Sequence, residues 1–115
     1  MSRQNDIHQY GMDVQDLDAS PFEMIEMLRS RSKIHSYFRE LTDEEKLEVN
    51  RYDLILLFNA QEFYDKLKLV HDFQHSNKPD DEWWWHLHDV VRAFNKRSFS
   101  ISFADTHGDL MVNMI

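Results

Sequence analysis

The chain has 115 residues, a net charge of −8 and no cysteine. Its length fits one domain, 1–115, that buries roughly two-thirds of its unfolded surface and so can hold a core without covalent staples. Lack of cysteine excludes disulfides, thiolate metal sites and a cysteine nucleophile, and the acid excess opposes phosphate-led binding of nucleic acid.

No apolar run reaches the ~18 residues of a membrane span, and the polar, acidic start MSRQNDIHQYGMD reads as no signal peptide. A cytoplasmic location is therefore the expectation, with no direct nucleic acid and no membrane among the partners. With two glycines and two prolines, a disordered chain and a turn-rich all-β fold are both disfavoured, and a few long helices are expected. Two glycines also cannot build a phosphate-cradling loop, and there is no Gly-x-Ser-x-Gly elbow.

Residues 1–19 are expected to be an extended N-terminal segment, followed by a helical part over 20–95. Ser20-Pro21-Phe22-Glu23 is a capping box with proline at the first helical position. It predicts a helix over about 21–40, with Phe22, Ile25, Leu28, Ser32, Ile34 or His35, and Phe38 as its apolar face. Arg29-Ser30-Arg31-Ser32-Lys33 on this helix reads as a solvated basic face.

Thr42-Asp43-Glu44-Glu45 repeats the box, with three acids in the first turn. Val49, Tyr52, Leu56, Ala60, Phe63, Leu67 and Val70 then step by three or four, which predicts a helical seam over about 43–76. A helix that long is unusual, so a break or bend is expected near Asn59. Asn59-Ala60-Gln61-Glu62 offers a third box. The methionines are expected to fill gaps in the core.

Asn77-Lys78-Pro79 stops the preceding element, and a further helix is predicted over about 80–95. It carries the three tryptophans in Glu82-Trp83-Trp84-Trp85-His86-Leu87-His88-Asp89. Successive helical residues point ~100° apart, so the rings splay: one or two of the three are expected to anchor the helix in the core and at least one to reach solvent or a partner. Ser98-Phe99-Ser100-Ile101-Ser102-Phe103 alternates with period two, Asp105 to Asp109 reads as a turn, and Leu110-Met111-Val112-Asn113-Met114-Ile115 returns. The expected fold class is therefore α+β: a small bundle of three to four helices closed by a C-terminal antiparallel β-hairpin over 98–115. Its open edge would permit a homodimer.

Two function classes follow. The first is a non-enzymatic acidic protein-binding module of the inhibitor, immunity-protein, antitoxin or anti-defence type, which covers a basic, nucleic-acid-binding kind of site on a protein target. Its expected contacts are Asp13, Asp16, Asp18, Glu23 and Glu26, then Asp43, Glu44, Glu45 and Glu48. Trp84 and Trp85 would serve as apolar anchors.

The alternative is a small metal-dependent enzyme or metal sensor. His71-Asp72-Phe73-Gln74-His75 places two histidines at i, i+4, a helical spacing that can clamp Zn²⁺. Asp72 stands where a zinc protease has its glutamate base, one methylene short, so that family is not indicated. His86 and His88 would complete a ligand set with His71 and His75 if the two helices packed antiparallel. In the first class no cofactor is expected; in the second the cofactor is zinc.

Overall fold

Residues 3–93 are described by a computed structural model of the chain. The first helix, α1, spans Arg3–Asp13, within the stretch expected to be extended. Its buried residues Ile7 and Tyr10, with Val14 just past its end, step by three and four. That period had a legible signal, but the polar residues around it hid a short amphipathic face. Gly11 lies directly against the Tyr52 ring of α3: a Cβ there would sit 2.4–2.8 Å from ring carbons. Glycine thus sets how closely α1 approaches α3.

Helix α2 spans Pro21–Ser36. It starts where the capping box predicts: Ser20 Oγ accepts the Glu23 N–H at 3.2 Å, and Glu23 Oε1 accepts the Ser20 N–H at 3.0 Å. These bonds, the one from the Ser20 backbone first, hold the Glu23 carboxyl below its usual range. The buried face of α2 is Met24, Met27, Leu28, Arg31 and Ile34, whereas Phe22 is 71% exposed. The two methionines, not the phenylalanine, set the inward register. A short 3-10 turn at Phe38–Glu40 follows.

Helix α3 spans Asp43–Phe58, and Thr42 closes its own capping box with Glu45, Thr42 Oγ1 accepting at 3.1 Å and Glu45 Oε1 at 2.9 Å. The expected break falls at Asn59, and α4 spans Ala60–Leu67. Asn59 makes no side-chain cap on α4; its amide instead donates to the Val14 carbonyl at 3.4 Å, pinning the α3–α4 junction to the end of α1. The seam runs through Val49, Asp53, Leu56, Ala60, Phe63 and Leu67. Asp53, not the half-buried Tyr52, occupies the second inward position.

After Leu67 the chain leaves helical structure until the Trp83–Trp85 3-10 turn, and helix resumes over 87–93. The predicted elements over 43–76 and 80–95 are thus each shorter than expected. Helix α1 packs on α2 and α3, α2 on α4 and on the tryptophan turn. Contacts from Tyr10 to Asp53 and from Val14 to Asn59 show α1 running alongside α3 in the same direction.

The α+β expectation is corrected. Every regular element among the described residues is helical and no strand forms. The 98–115 hairpin, and the homodimer through its edge, fall on residues outside the described ones. Among the described residues no helix is long and apolar enough to cross a membrane.

Candidate functional site

The interior holds one polar network that sequence reasoning missed. Arg31 was expected on a solvated face, yet it is buried and forms a bidentate pair with Asp53: Nε to Oδ1 at 2.9 Å and Nη2 to Oδ2 at 3.0 Å. Tyr10 donates its hydroxyl to Asp53 Oδ1 at 2.6 Å. Burial, with the Asp53 charge adding to it, pushes the Tyr10 phenol well above its ordinary range, so it stays a donor. The Arg31 guanidinium lies 4.3 Å from the Trp84 ring centre and 5.8 Å from that of Phe38. Its Nη1 is buried with no hydrogen-bond partner among the described residues, so ring faces stand in for an acceptor. The signal was present: Arg31 and Asp53 each interrupt an apolar row of helical period. Linking α1, α2 and α3, this network is structural.

The tryptophans belong to the same interior. Trp84 and Trp85 are 1% and 3% exposed, which overturns their expected role as partner anchors. Both indole N–H groups donate to one hydroxyl, Ser32 Oγ, at 2.9 and 2.7 Å, and Ser32 donates to Glu82 Oε1 at 2.5 Å. That arrangement fills the one donor and two acceptor positions of a serine hydroxyl. A 3-10 turn rather than an α-helix carries the triplet, and it is the shared Ser32 hydroxyl on α2 that both indole N–H groups reach.

The histidines do not assemble as a four-ligand set. His71 lies beyond the end of α4 and His75 is not helical either, so the i, i+4 clamp geometry is absent. His75 is exposed and pairs with Asp72, Nδ1 to Oδ2 at 2.8 Å. His71 and His88 do gather around Phe73 and Trp85, with ring centres 4.6 Å apart for His71–Phe73, 5.9 Å for Phe73–His88 and 5.3 Å for His71–Trp85, and His86 lies 6.2 Å from His88. His86 donates from Nε2 to the Pro79 carbonyl at 3.1 Å. His71 Nε2 and His88 Nδ1 are buried with no hydrogen-bond partner among the described residues. Burial, then the charge of Lys78, holds His71 below its ordinary value, favouring the neutral ring. Among the described residues no three His, Cys, Asp or Glu side chains converge to hold a metal.

The acids fall into two clusters. Asp13 is half-buried, accepts a bond from Gln9 Nε2 at 2.9 Å, and is raised by burial. Asp16, Asp18, Glu23 and Glu26 are exposed; Glu23 is committed to its capping box and Glu26 pairs with Arg29. This first cluster begins beside the α3–α4 junction, where the Asn59 amide donates to the Val14 carbonyl, and continues along α4 to its last turn, where Lys66 Nζ donates to the Leu17 and Ala19 carbonyls at 2.7 and 3.1 Å. The second cluster opens α3, at its other end. There Asp43 and Glu44 are exposed, while Glu45 closes the cap and Glu48 accepts the Tyr52 hydroxyl at 2.8 Å.

Along α3 runs a row of side chains that the predicted seam does not include. Leu47, Leu54 and Phe58 are 61%, 65% and 87% exposed. With Glu44 and Arg51, also exposed, they step by three and four along one face of α3. Three large apolar side chains aligned on one helix are not the scattered exposure usual on a monomer. Leu54 and Phe58 sit in the apolar run Leu54-Ile55-Leu56-Leu57-Phe58, whose inward and outward members composition cannot separate. Against known protein families, curated proteins and solved structures, the chain finds no match.

Proposed function

We propose that the protein is a non-enzymatic, acidic protein-binding module that covers a basic site on a protein target, as inhibitors, immunity proteins, antitoxins and anti-defence proteins do. One observation carries the reading: the open face of α3 holds Leu47, Leu54 and Phe58 in line, with the exposed acids Asp43 and Glu44 in its first turn and exposed Asp16 and Asp18 following the Val14–Asn59 contact at its far end and running on along α4. Acids at the margin steer a basic partner and set its register. Apolar side chains between them supply the area that leaves water. These three take the anchoring role first given to Trp84 and Trp85.

The test is a pull-down from the native host with the full chain as bait. Alongside it runs a bait carrying Asp43→Lys, Glu44→Lys, Asp16→Lys and Asp18→Lys, none of which caps a helix with its side chain. The expected result is capture of a protein with a basic surface by the first bait and its loss from the second, with association slowing as salt rises. Equal capture by both baits rules the reading out.

A further inference from the structure

The open face of α3 specifies more than an acidic partner. Its exposed positions Glu44, Leu47, Arg51, Leu54 and Phe58 follow the alternating three-and-four spacing of a helix–helix seam. The same spacing on the opposite side forms the buried row Val49, Asp53 and Leu56. The helix has 16 residues, a length of ~24 Å. Its backbone hydrogen bonds are used internally, so an extended strand finds no edge to extend and recognition must come from side chains.

We infer that the occupant of this face is a basic amphipathic helix of the partner protein, its apolar stripe on Leu47, Leu54 and Phe58 and its lysines or arginines beside Asp43, Glu44 and Glu48. This rests on the acidic-module reading and names its partner. Charge decides between this occupant and a second copy of the chain. The face and its margin on α3 carry the acids Asp43, Glu44 and Glu48 against the single base Arg51. Parallel pairing of two copies would set those acids against themselves. Antiparallel pairing would lay them by Phe58 and toward the exposed Glu62 of α4, again without a base. A helix with flanking cations satisfies what a second copy leaves repelled.

The test titrates the full chain into two labelled synthetic helices of the same leucine seam, one with lysine and arginine on its flanks and one with glutamate. The basic helix is expected to bind about ten-fold or more tightly than the acidic one, and Leu54→Ser and Phe58→Ser are each expected to weaken it by about ten-fold. Both side chains are exposed, so circular dichroism should give melting curves like that of the unaltered chain, which separates lost contact from lost fold. If the basic helix binds no better than the acidic one, or the serine variants bind it as the unaltered chain does, the helix inference falls. The charge-reversal pull-down then decides the acidic reading by itself. Two further outcomes, one in sedimentation and one in the titration, overturn it: self-association abolished by Phe58→Ser would make a second copy the occupant. Binding gained only after Phe99→Ser, Ile101→Ser and Phe103→Ser would make it the chain's own C-terminal segment.

Discussion

The two faces of α3 use the same spacing for opposite ends. Inward, Val49, Asp53 and Leu56 are buried, with α3 packed on α1 and α4. Outward, Leu47, Leu54 and Phe58 stand in solvent. The inward face contains a carboxylate and the outward face contains leucines, so hydrophobicity alone ranks them wrongly. What separates them is partnering. Asp53 has Arg31 and Tyr10 to satisfy it, and the outward leucines face nothing among the described residues. A buried carboxylate paired with a guanidinium and a phenol is tolerable, while an unpartnered apolar row marks a surface built for contact.

The largest expected effect breaks the inward face at its charge. Asp53→Ala leaves Arg31 buried without its counter-ion and should destabilise the fold by about 3–5 kcal/mol in urea unfolding. Adding Arg31→Met should recover much of that loss, since the penalty lies in the orphaned charge rather than in the missing attraction. If the double variant is no more stable than Asp53→Ala, the network is not a coupled unit.

Next in size is the direct contrast of two leucines two residues apart. Leu56→Ala should cost about 2–5 kcal/mol, as a truncation in a packed core does. Leu54→Ala should stay within about 0.5 kcal/mol, as an exposed substitution does. Similar costs for the two would mean that the outward face is covered in the folded chain. Gly11→Ala probes the α1 side of the same core. Its added methyl meets the Tyr52 ring, and overpacking of that kind costs about 1–3 kcal/mol. A second change, Tyr52→Ala, should relieve part of it; no relief would place the strain elsewhere.

The smallest effect lies away from α3, at His71. Its folded-state value is depressed, by burial first and Lys78 second. The unfolded chain therefore takes up the proton first. Stability from the neutral ring is present above the ordinary value of 6.5 and is lost as pH falls through it toward the folded value. The melting temperature should drop between pH 7.5 and 5.5, and His71→Gln should flatten that slope. Asp72 is also depressed, chiefly by its bond to His75. Its contribution is lost only as pH falls below the ordinary carboxylate value of 3.8, so the two windows are separable in one titration.

Much of the helical frame was legible before any coordinates. Capping boxes at Ser20 and Thr42 act through neighbouring backbone, and the break at Asn59 followed from seam length. The seam of α3 and α4 was legible for the same reason, since period is a property of the chain itself. The shortfall came where local preference meets tertiary demand. His71 and His75 have helical spacing, yet α4 has ended before them, and spacing without a helix clamps nothing. The α+β reading arose from an alternation at 98–103, beyond the described residues, and the part that is described forms helices alone.

By itself, then, the sequence determined the charge, the helix starts, the periodicities and the exclusion of thiol chemistry and phosphate loops. Only the tertiary structure decided which member of each row turns inward. Arg31 and Asp53 became core because they meet each other from different helices. Trp84 and Trp85 became core because Ser32 offers one hydroxyl to both indoles. Leu54 and Phe58 stayed outside because the inward side of α3 was already filled. Each outcome depends on a neighbour far away in sequence, and no local pattern records which distant side chain will be there.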